Sequence, residues 1–233
     1  MSAKSALKTA GAPPETPVPF ALLFQLEDIT GSLRRASLEI LKDLPGKKAV
    51  SPQNFIRLGL SDAPLAQLSA AVESDPAALR DKILAKLELA GAPLPGMVQK
   101  LFKLAMERGM TLHALTLLPD AVAEKLAERL GLKELGVHVQ GLKDPERDVP
   151  APEVWYKAAR GVGRSVRKCG ALVTGMAACR NAMAAGLRCI AVPDELTSHQ
   201  DFSGAILIVE DLSEARPSDI LDALFPPTRL GGQ

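Results

Sequence analysis

A short apolar run near the start of the chain is followed at once by polar side chains that could do chemistry. The stretch FALLFQLEDITGSL (residues 20–33) is typical of a buried strand as far as Phe24, and it then carries Gln25, Glu27 and Asp28. A carboxylate at the end of such a strand can act as a nucleophile or as a general acid and base. The first polar position is Gln25, whose amide cannot attack as a carboxylate does. The stretch is therefore either the first strand of a hydrolase without its nucleophile or an unrelated apolar run.

The second half of the chain contains the elements that would position such groups. Strand-like runs alternate with helical segments, and this order predicts an α/β fold with a doubly wound parallel sheet. The predicted helices cover residues 119–132, 151–163 and 176–186. The predicted strands are TLHALTLL (111–118), LGVHVQG (135–141), CGALVTG (169–175), LRCIAVP (187–193) and GAILIVEDL (204–212).

Residues 33–92 differ from the rest because helical segments broken by Pro and Gly follow one another there without a convincing strand. The pattern predicts an all-helical cap inserted after the first strand. The α/β core would then comprise residues 19–32 and 93–233, and residues 1–18 would form a flexible tail. The same tail is also compatible with the remnant of an organelle-targeting segment, because it contains no acid before Glu15.

Composition gives no support to several classes of function. The net charge of +1 gives no electrostatic reason to expect a nucleic-acid or membrane partner. No apolar run reaches the roughly 18 residues that cross a bilayer. The three cysteines are ten residues apart and odd in number, which favours buried reduced thiols. We expect a soluble cytoplasmic protein, with an organelle matrix as the alternative.

The order of these elements, together with several phrases, resembles the haloacid dehalogenase-like hydrolase superfamily, in particular its phosphoglycolate phosphatase and β-phosphoglucomutase-like group. The phrases are LPGMVQKLFKLAMERGMTLHALT, PAPEVWYKAARGVG and ACRNAMAAGLRCIAVPDELTSHQDFSGAILIVEDL. They span most of residues 93–212 in the expected order, and FALLFQLEDITGSL falls where the first strand belongs. The resemblance implies a Rossmann-like α/β core with a helical cap.

The resemblance also implies a particular chemistry. In this family an Asp at the end of the first strand attacks phosphorus, and a second Asp two residues later is the general acid and base. A Ser or Thr after the second strand and a Lys from the third motif hold the phosphoryl oxygens. Acids of the fourth motif bind Mg²⁺ beside the nucleophile, and the metal and the Lys neutralise charge in the transition state.

Most of the matching positions in this chain carry other residue types. The nucleophile position is Gln25, and the general-acid position is Glu27, which is one methylene longer than Asp. An alternative register would make Asp28 the nucleophile, but it would place Glu27 inside the apolar strand. Only one position keeps the family's residue type outright. The full set of matching positions is Gln25, Glu27, Thr116, Val149 (for Lys), and Val173 and Thr174 (for the acidic pair).

These replacements predict a catalytically degenerate protein, a pseudo-phosphatase kept as a scaffold, as the partner of another protein or as a subunit of a larger assembly. The expected site holds no competent catalytic residue, no metal and no cofactor. We expect part of it to be packed core, with Gln25 and Thr116 hydrogen-bonded to each other or to nearby backbone. Two alternatives remain: an active phosphatase that uses Glu27, and a small-ligand binding module with the cap as lid and Thr116 in its floor.

Overall fold

The structure of the chain, a computed structural model, describes residues 20–44, 50–62, 64–65, 68, 75–89, 94–142, 149–211 and 213–226. Its strands belong to one six-stranded sheet. They are β1 (Ala21–Gln25), β2 (Thr111–Thr116), β3 (His138–Gly141), β4 (Cys169–Val173), β5 (Arg188–Ala191) and β6 (Leu207–Ile208).

Helices connect the strands. Of the helices in the described part of the chain, α1 (Leu26–Thr30), α2 (Ser32–Lys42), α3 (Pro52–Arg57), α4 (Pro76–Leu89) and α5 (Gly96–Glu107) lie between β1 and β2. The later ones are α6 (Asp120–Arg129), α7 (Pro152–Gly161), α8 (Met176–Ala184) and α9 (Pro217–Leu224), with a 3₁₀ turn at Val166–Lys168. Among the described residues, no helix combines the length and the apolar character that a membrane crossing requires.

The sheet has the order β3-β2-β1-β4-β5-β6, and every paired strand is parallel. This confirms the predicted α/β fold with a doubly wound sheet. Strand β1 is central because it pairs with β2 on one side and β4 on the other. All five of its residues are buried, as expected for a parallel strand covered on both faces.

The chain turns sharply after β1. The strand ends at Gln25, and α1 follows directly, so Glu27 lies in a helix and not in the strand. This geometry does not support the alternative register. Gly31, at φ +59, separates α1 from α2. The left-handed conformation favours glycine, and a Cβ added there would lie 2.6 Å from Asp194 Oδ2.

The predicted helical character of residues 33–92 is confirmed for the part that the structure describes, which contains helices and no strand. These helices share one apolar cluster with the sheet region. Phe55 of α3 and Ile83 of α4 are buried in the same cluster as Leu101 and Phe102 of α5. The division into a cap and a core with the predicted boundaries stays a prediction.

The last predicted strand is shorter than expected. The run 204–212 was predicted as a strand, but only Leu207–Ile208 is assigned to β6, and residue 212 lies outside the described residues. Strand β6 pairs with β5 alone, and β5 itself extends only over Arg188–Ala191. The neighbour therefore offers few residues against which an edge strand can lengthen.

Candidate functional site

The predicted site residues lie at or near the carboxyl ends of the three central strands. Gln25 ends β1, Thr116 ends β2 and Val173 ends β4. Gln25, Glu27 and Val149 line one cavity where the strands meet, together with residues of α2, α8 and the segment after α3. The fold thus brings Gln25, Glu27 and Val149 to one cavity, whereas Thr116, Val173 and Thr174 do not line it.

Glu27 forms the central contact of this region. Its Oε1 accepts hydrogen bonds from Thr116 Oγ1 at 2.6 Å, the Leu117 amide at 2.7 Å and the Leu118 amide at 3.0 Å. The Leu118 amide also lies 3.1 Å from Thr116 Oγ1. The Thr116 hydroxyl and the two amides that follow it hold one carboxylate oxygen in an arrangement that resembles a backbone nest.

The expectation for Thr116 was therefore only partly right. Its hydroxyl contacts nearby backbone, but it donates to the carboxylate of Glu27 rather than pairing with Gln25. The physical reason is the extra methylene of Glu27, with which a side chain on α1 reaches the turn after β2.

The Glu27 side chain is almost completely removed from solvent. The residue is 1% exposed, and its Oε2 is buried without a hydrogen-bond partner among the residues that the structure describes. Burial raises the pKa of Glu27, because it disfavours the charged form, although the hydrogen bonds from Thr116, Leu117 and Leu118 oppose that shift. A buried acid held by three donors is suited to a structural contact.

A second polar cluster joins α1, α2 and the loop after β5. Arg34 Nη1 pairs with Asp28 Oδ1 at 2.7 Å, and Arg34 Nη2 pairs with Asp194 Oδ2 at 2.9 Å. The other Asp28 oxygen, Oδ2, accepts from the Thr174 amide at 2.6 Å. Burial alone would lower the pKa of Arg34, but the carboxylates of Asp28 and Asp194 raise it above its usual value. Burial would raise the pKa of Asp194, but Arg34 holds it below its usual value.

A third contact crosses from the predicted cap to the core. Gln200 Oε1 accepts from the Met176 amide at the start of α8 at 2.7 Å. Its Nε2 donates to Ser61 Oγ at 3.2 Å and to the Asp62 carboxylate. Burial raises the pKa of Asp62, and nearby His199 and Arg34 act in the opposite sense. This side chain links the segment after α3 to the start of α8.

Sequence reasoning missed Arg34, Asp194 and Gln200. Arg34 is one of two adjacent arginines in SLRRASLE, and no sequence signal separates them. Asp194 and Gln200 lie in a loop that has no periodicity to interpret. Their contacts span 160 and 138 positions of the chain, so only the folded structure reveals them.

The cavity between these groups is small. It has a volume of about 20 Å³, which holds about one water molecule, whereas ligand pockets usually exceed about 300 Å³. Val173 is fully buried, and Leu117 and Leu118 are buried as well. The strand ends are therefore closely packed around Glu27.

The residues at this point do not fit the Mg²⁺ that the family resemblance implies. Mg²⁺ needs oxygen ligands, usually one or two carboxylates with waters, whereas Val173 offers no side-chain oxygen. The Asp28 carboxylate is held by Arg34 and by the Thr174 amide. Within the described ranges, no group of three or more His, Cys, Asp or Glu residues is arranged to hold a metal ion.

Sheet order, central strand and helical insertion together define a protein with the fold of the haloacid dehalogenase-like hydrolases. Solved structures of this class match over most of the chain. CbbY from Rhodobacter sphaeroides, crystallised with phosphate, has a TM-score of 0.67 and 21% identity, covering 84% of this chain and 96% of that chain. A putative phosphoglycolate phosphatase from Lactobacillus delbrueckii subsp. bulgaricus has a TM-score of 0.62 and 14% identity, covering 89% and 98%.

At the level of sequence, the similarity is confined to part of the chain. No protein-family model matches it. Protein CbbY from Rhodobacter capsulatus is 41% identical over 66 residues, which is 28% of this chain and 29% of that relative. The structural likeness shows the fold, and the predicted resemblance is confirmed at that level.

Proposed function

We propose that this protein is a catalytically degenerate member of the haloacid dehalogenase-like fold, with a structural, scaffold or protein-interaction role in place of hydrolysis. The observation that carries the proposal is the contact of Glu27 with Thr116, Leu117 and Leu118. An acid that acts in proton transfer must reach the reacting group. Here one carboxylate oxygen is engaged three times, and the residue is buried.

The other positions support the same proposal. Phosphoryl transfer by a carboxylate requires a nucleophile, and Gln25 supplies an amide. It also requires positive charge near the phosphoryl oxygens, but Val149 stands where the resemblance implies Lys. Val149 and Val173 replace one positive and one negative residue type together, so neither loss leaves the other charge unpaired in the packed site, where an unpaired charge would be costly.

Two alternatives are weaker. A small-ligand module would need a pocket between α1, α2 and the segment after α3, but the cavity there holds about 20 Å³. The alternative of a working phosphatase is supported only by the structurally similar proteins. One of them, a CbbY variant from Rhodobacter sphaeroides, was crystallised with xylulose-1,5-bisphosphate. That activity would have to use Glu27 in a conformation that breaks its contacts with Thr116 and the two amides.

A phosphatase assay with Mg²⁺ separates these functions. The substrates should include xylulose-1,5-bisphosphate, phosphoglycolate and β-glucose 1-phosphate, with phosphate release measured over long incubation. We expect no turnover above that of Glu27→Gln, which is matched in shape and carries no ionisable group. Saturable turnover by the natural chain that Glu27→Gln abolishes would overturn the proposal in favour of a working phosphatase.

A second experiment tests whether the chemistry was lost at the named positions. The combined variant Gln25→Asp, Val149→Lys, Val173→Glu and Thr174→Asp restores the residue types that the resemblance implies. Phosphatase activity in this variant, absent from the natural chain, would support a disabled ancestor. The interaction role has its own test: isolation of the protein in a stoichiometric complex with one protein partner supports it, and a monomer in every extract weakens it.

A further inference from the structure

Arg34 is the only cation within hydrogen-bond distance of Asp28 or Asp194 in the described part of the chain, and it contacts both. Besides the two ion pairs, Arg34 Nη2 donates to the Asp28 carbonyl at 2.9 Å, and Nε lies 3.3 Å from Asp194 Oδ2. The Arg34 side chain is 6% exposed, and so is that of Asp28. A planar guanidinium is suited to such a place because it presents several donors in fixed directions.

Every oxygen of the two carboxylates is engaged by protein donors. Asp28 Oδ1 accepts from Arg34, and Asp28 Oδ2 accepts from the Thr174 amide. Asp194 Oδ2 accepts from Arg34 as well. Asp194 Oδ1 accepts from the Leu196 amide at 2.9 Å and from Thr197 Oγ1 at 3.0 Å. Each carboxylate oxygen of this pair therefore already has at least one protein donor.

The backbone is also shaped around this cluster. A Cβ at Gly31 would lie 2.6 Å from Asp194 Oδ2, and a Cβ at Gly175 would lie 3.2 Å from Asp28 Oδ1 and 3.7 Å from Arg34 Nη1. The two glycines therefore let the carboxylates and the guanidinium approach the ends of β4 and α1. Arg34 also lines the cavity shared with Gln25 and Glu27.

We propose that Arg34 is a built-in cation of the strand-end site. Its guanidinium supplies the positive charge that Asp28 and Asp194 need, and it closes this part of the site to divalent metal. Without the guanidinium, the Asp28 and Asp194 carboxylates, whose side chains are 6% and 15% exposed, would both lose their counter-charge. Mg²⁺ and Mn²⁺ bind through one or two carboxylates and waters, so removing the side chain is expected to convert the pair into a divalent-cation site.

The test compares the full chain with Arg34→Ala and with the control Arg35→Ala. Arg35 is the adjacent arginine, but its side chain is 40% exposed and its ion pair with Glu195 is 3.7 Å long. Binding is measured by loss of the free Mn²⁺ signal in electron paramagnetic resonance. Thermal unfolding is followed during Mg²⁺ and Mn²⁺ titrations, with NaCl at matched ionic strength.

We expect Arg34→Ala to melt at a lower temperature than the natural chain, and its melting temperature to rise saturably with metal. At ten times the dissociation constant the rise should be about 3–6 °C. The natural chain and Arg35→Ala should show neither saturable binding nor this rise. Saturable Mn²⁺ binding by the natural chain, or an Arg34→Ala variant that responds no more than Arg35→Ala, would overturn the proposal.

If Arg34→Ala does not fold, even with metal, the triple variant Arg34→Ala, Asp28→Asn, Asp194→Asn decides. A folded triple variant without a metal response supports the role of Arg34 as counter-cation, because only the unpaired carboxylates have been neutralised. A triple variant that also fails to fold contradicts it. These readouts do not involve turnover, so this proposal and the proposed function can fail separately.

Discussion

The Thr116 hydroxyl donates to the Glu27 carboxylate across 2.6 Å and joins the end of β2 to the helix after β1 over 89 positions of the chain. Both residues are buried. Thr116 is the one matching position that keeps the residue type implied by the family resemblance. Glu27 is the one that keeps an acidic side chain in place of the family's Asp. Both groups therefore contribute to holding the strand ends together, and their contribution can be measured as stability.

The first prediction concerns the Thr116 hydroxyl. Thr116→Val preserves the shape of the side chain but removes one of the three donors to Glu27 Oε1. We expect the free energy of unfolding to fall by about 1–3 kcal/mol, because a buried acidic group loses a hydrogen bond. Thr116→Ser is the control, since it keeps the hydroxyl and loses a methyl group. Urea unfolding in which both variants lose the same stability would contradict this role of the hydroxyl.

The second prediction is a pH dependence from Glu27. Its pKa is raised above the ordinary value of 4.5 by burial, so the folded state holds the proton more tightly than the unfolded state. The stability that Glu27 contributes is fully present below pH 4.5 and is lost as the pH rises through the folded-state pKa. Relative to Glu27→Gln, the natural chain should therefore lose stability in that window.

Urea unfolding of both proteins, from pH values below 4.5 up to neutral, measures this difference. Groups common to both proteins, such as Asp194 with its lowered pKa, cancel when the two curves are subtracted. One proton limits the slope to about 1.4 kcal/mol per pH unit. A difference that stays flat, or that grows in favour of the natural chain as pH rises, would show that burial of Glu27 does not control its titration.

The sequence predicts the sheet well because the information is local. Strands β1 and β4 are short apolar runs, and a parallel strand buried on both faces needs little more than that. Helix α7 begins with Pro152 in its first turn, as predicted, because proline needs no amide partner there. Gly186 follows α8 at φ +86, where glycine is favoured.

The contacts of the site were not predictable in the same way. Arg34 and Arg35 are identical neighbours in the sequence, yet their side chains are 6% and 40% exposed. Adjacent helical residues point about a quarter-turn apart, and only the packing of α2 determines which one is buried. Glu27 was recognised as a partial match, but its contact with Thr116 depends on the exact position of α1 relative to the turn after β2.

The third prediction concerns Gln200, which joins Ser61 and Asp62 to the start of α8. Gln200→Ala removes the acceptor for the Met176 amide and the donors to Ser61 and Asp62. We expect a loss of about 1–2 kcal/mol in the free energy of unfolding. The substitution should also accelerate amide hydrogen exchange in α3 and residues 58–62, and it should leave the exchange rates of β1 nearly unchanged.

Ser198→Ala is the matched control for Gln200, because Ser198 lies exposed in the same loop. It should change stability by less than about 0.5 kcal/mol and leave the exchange rates of α3 unaltered. If exchange in α3 is as slow in Gln200→Ala as in Ser198→Ala, Gln200 does not hold this segment against the start of α8.

The fourth prediction separates backbone strain from crowding at Gly31. Gly31 and Gly109 both have left-handed backbones, at φ +59 and +71. A Cβ at Gly109 would meet nothing within 4 Å, whereas one at Gly31 would lie 2.6 Å from Asp194 Oδ2. Gly109→Ala should therefore cost only the conformational strain of about 1–2 kcal/mol, measured by urea unfolding.

Gly31→Ala should cost clearly more, because Asp194 must move away and weaken its pair with Arg34. In an Asp194→Ala background the crowding is gone, so the cost of Gly31→Ala should fall to that of Gly109→Ala, as a double-mutant cycle would record. Equal costs for the two glycines in the natural background would mean that crowding by Asp194 adds nothing to the cost of a Cβ at Gly31.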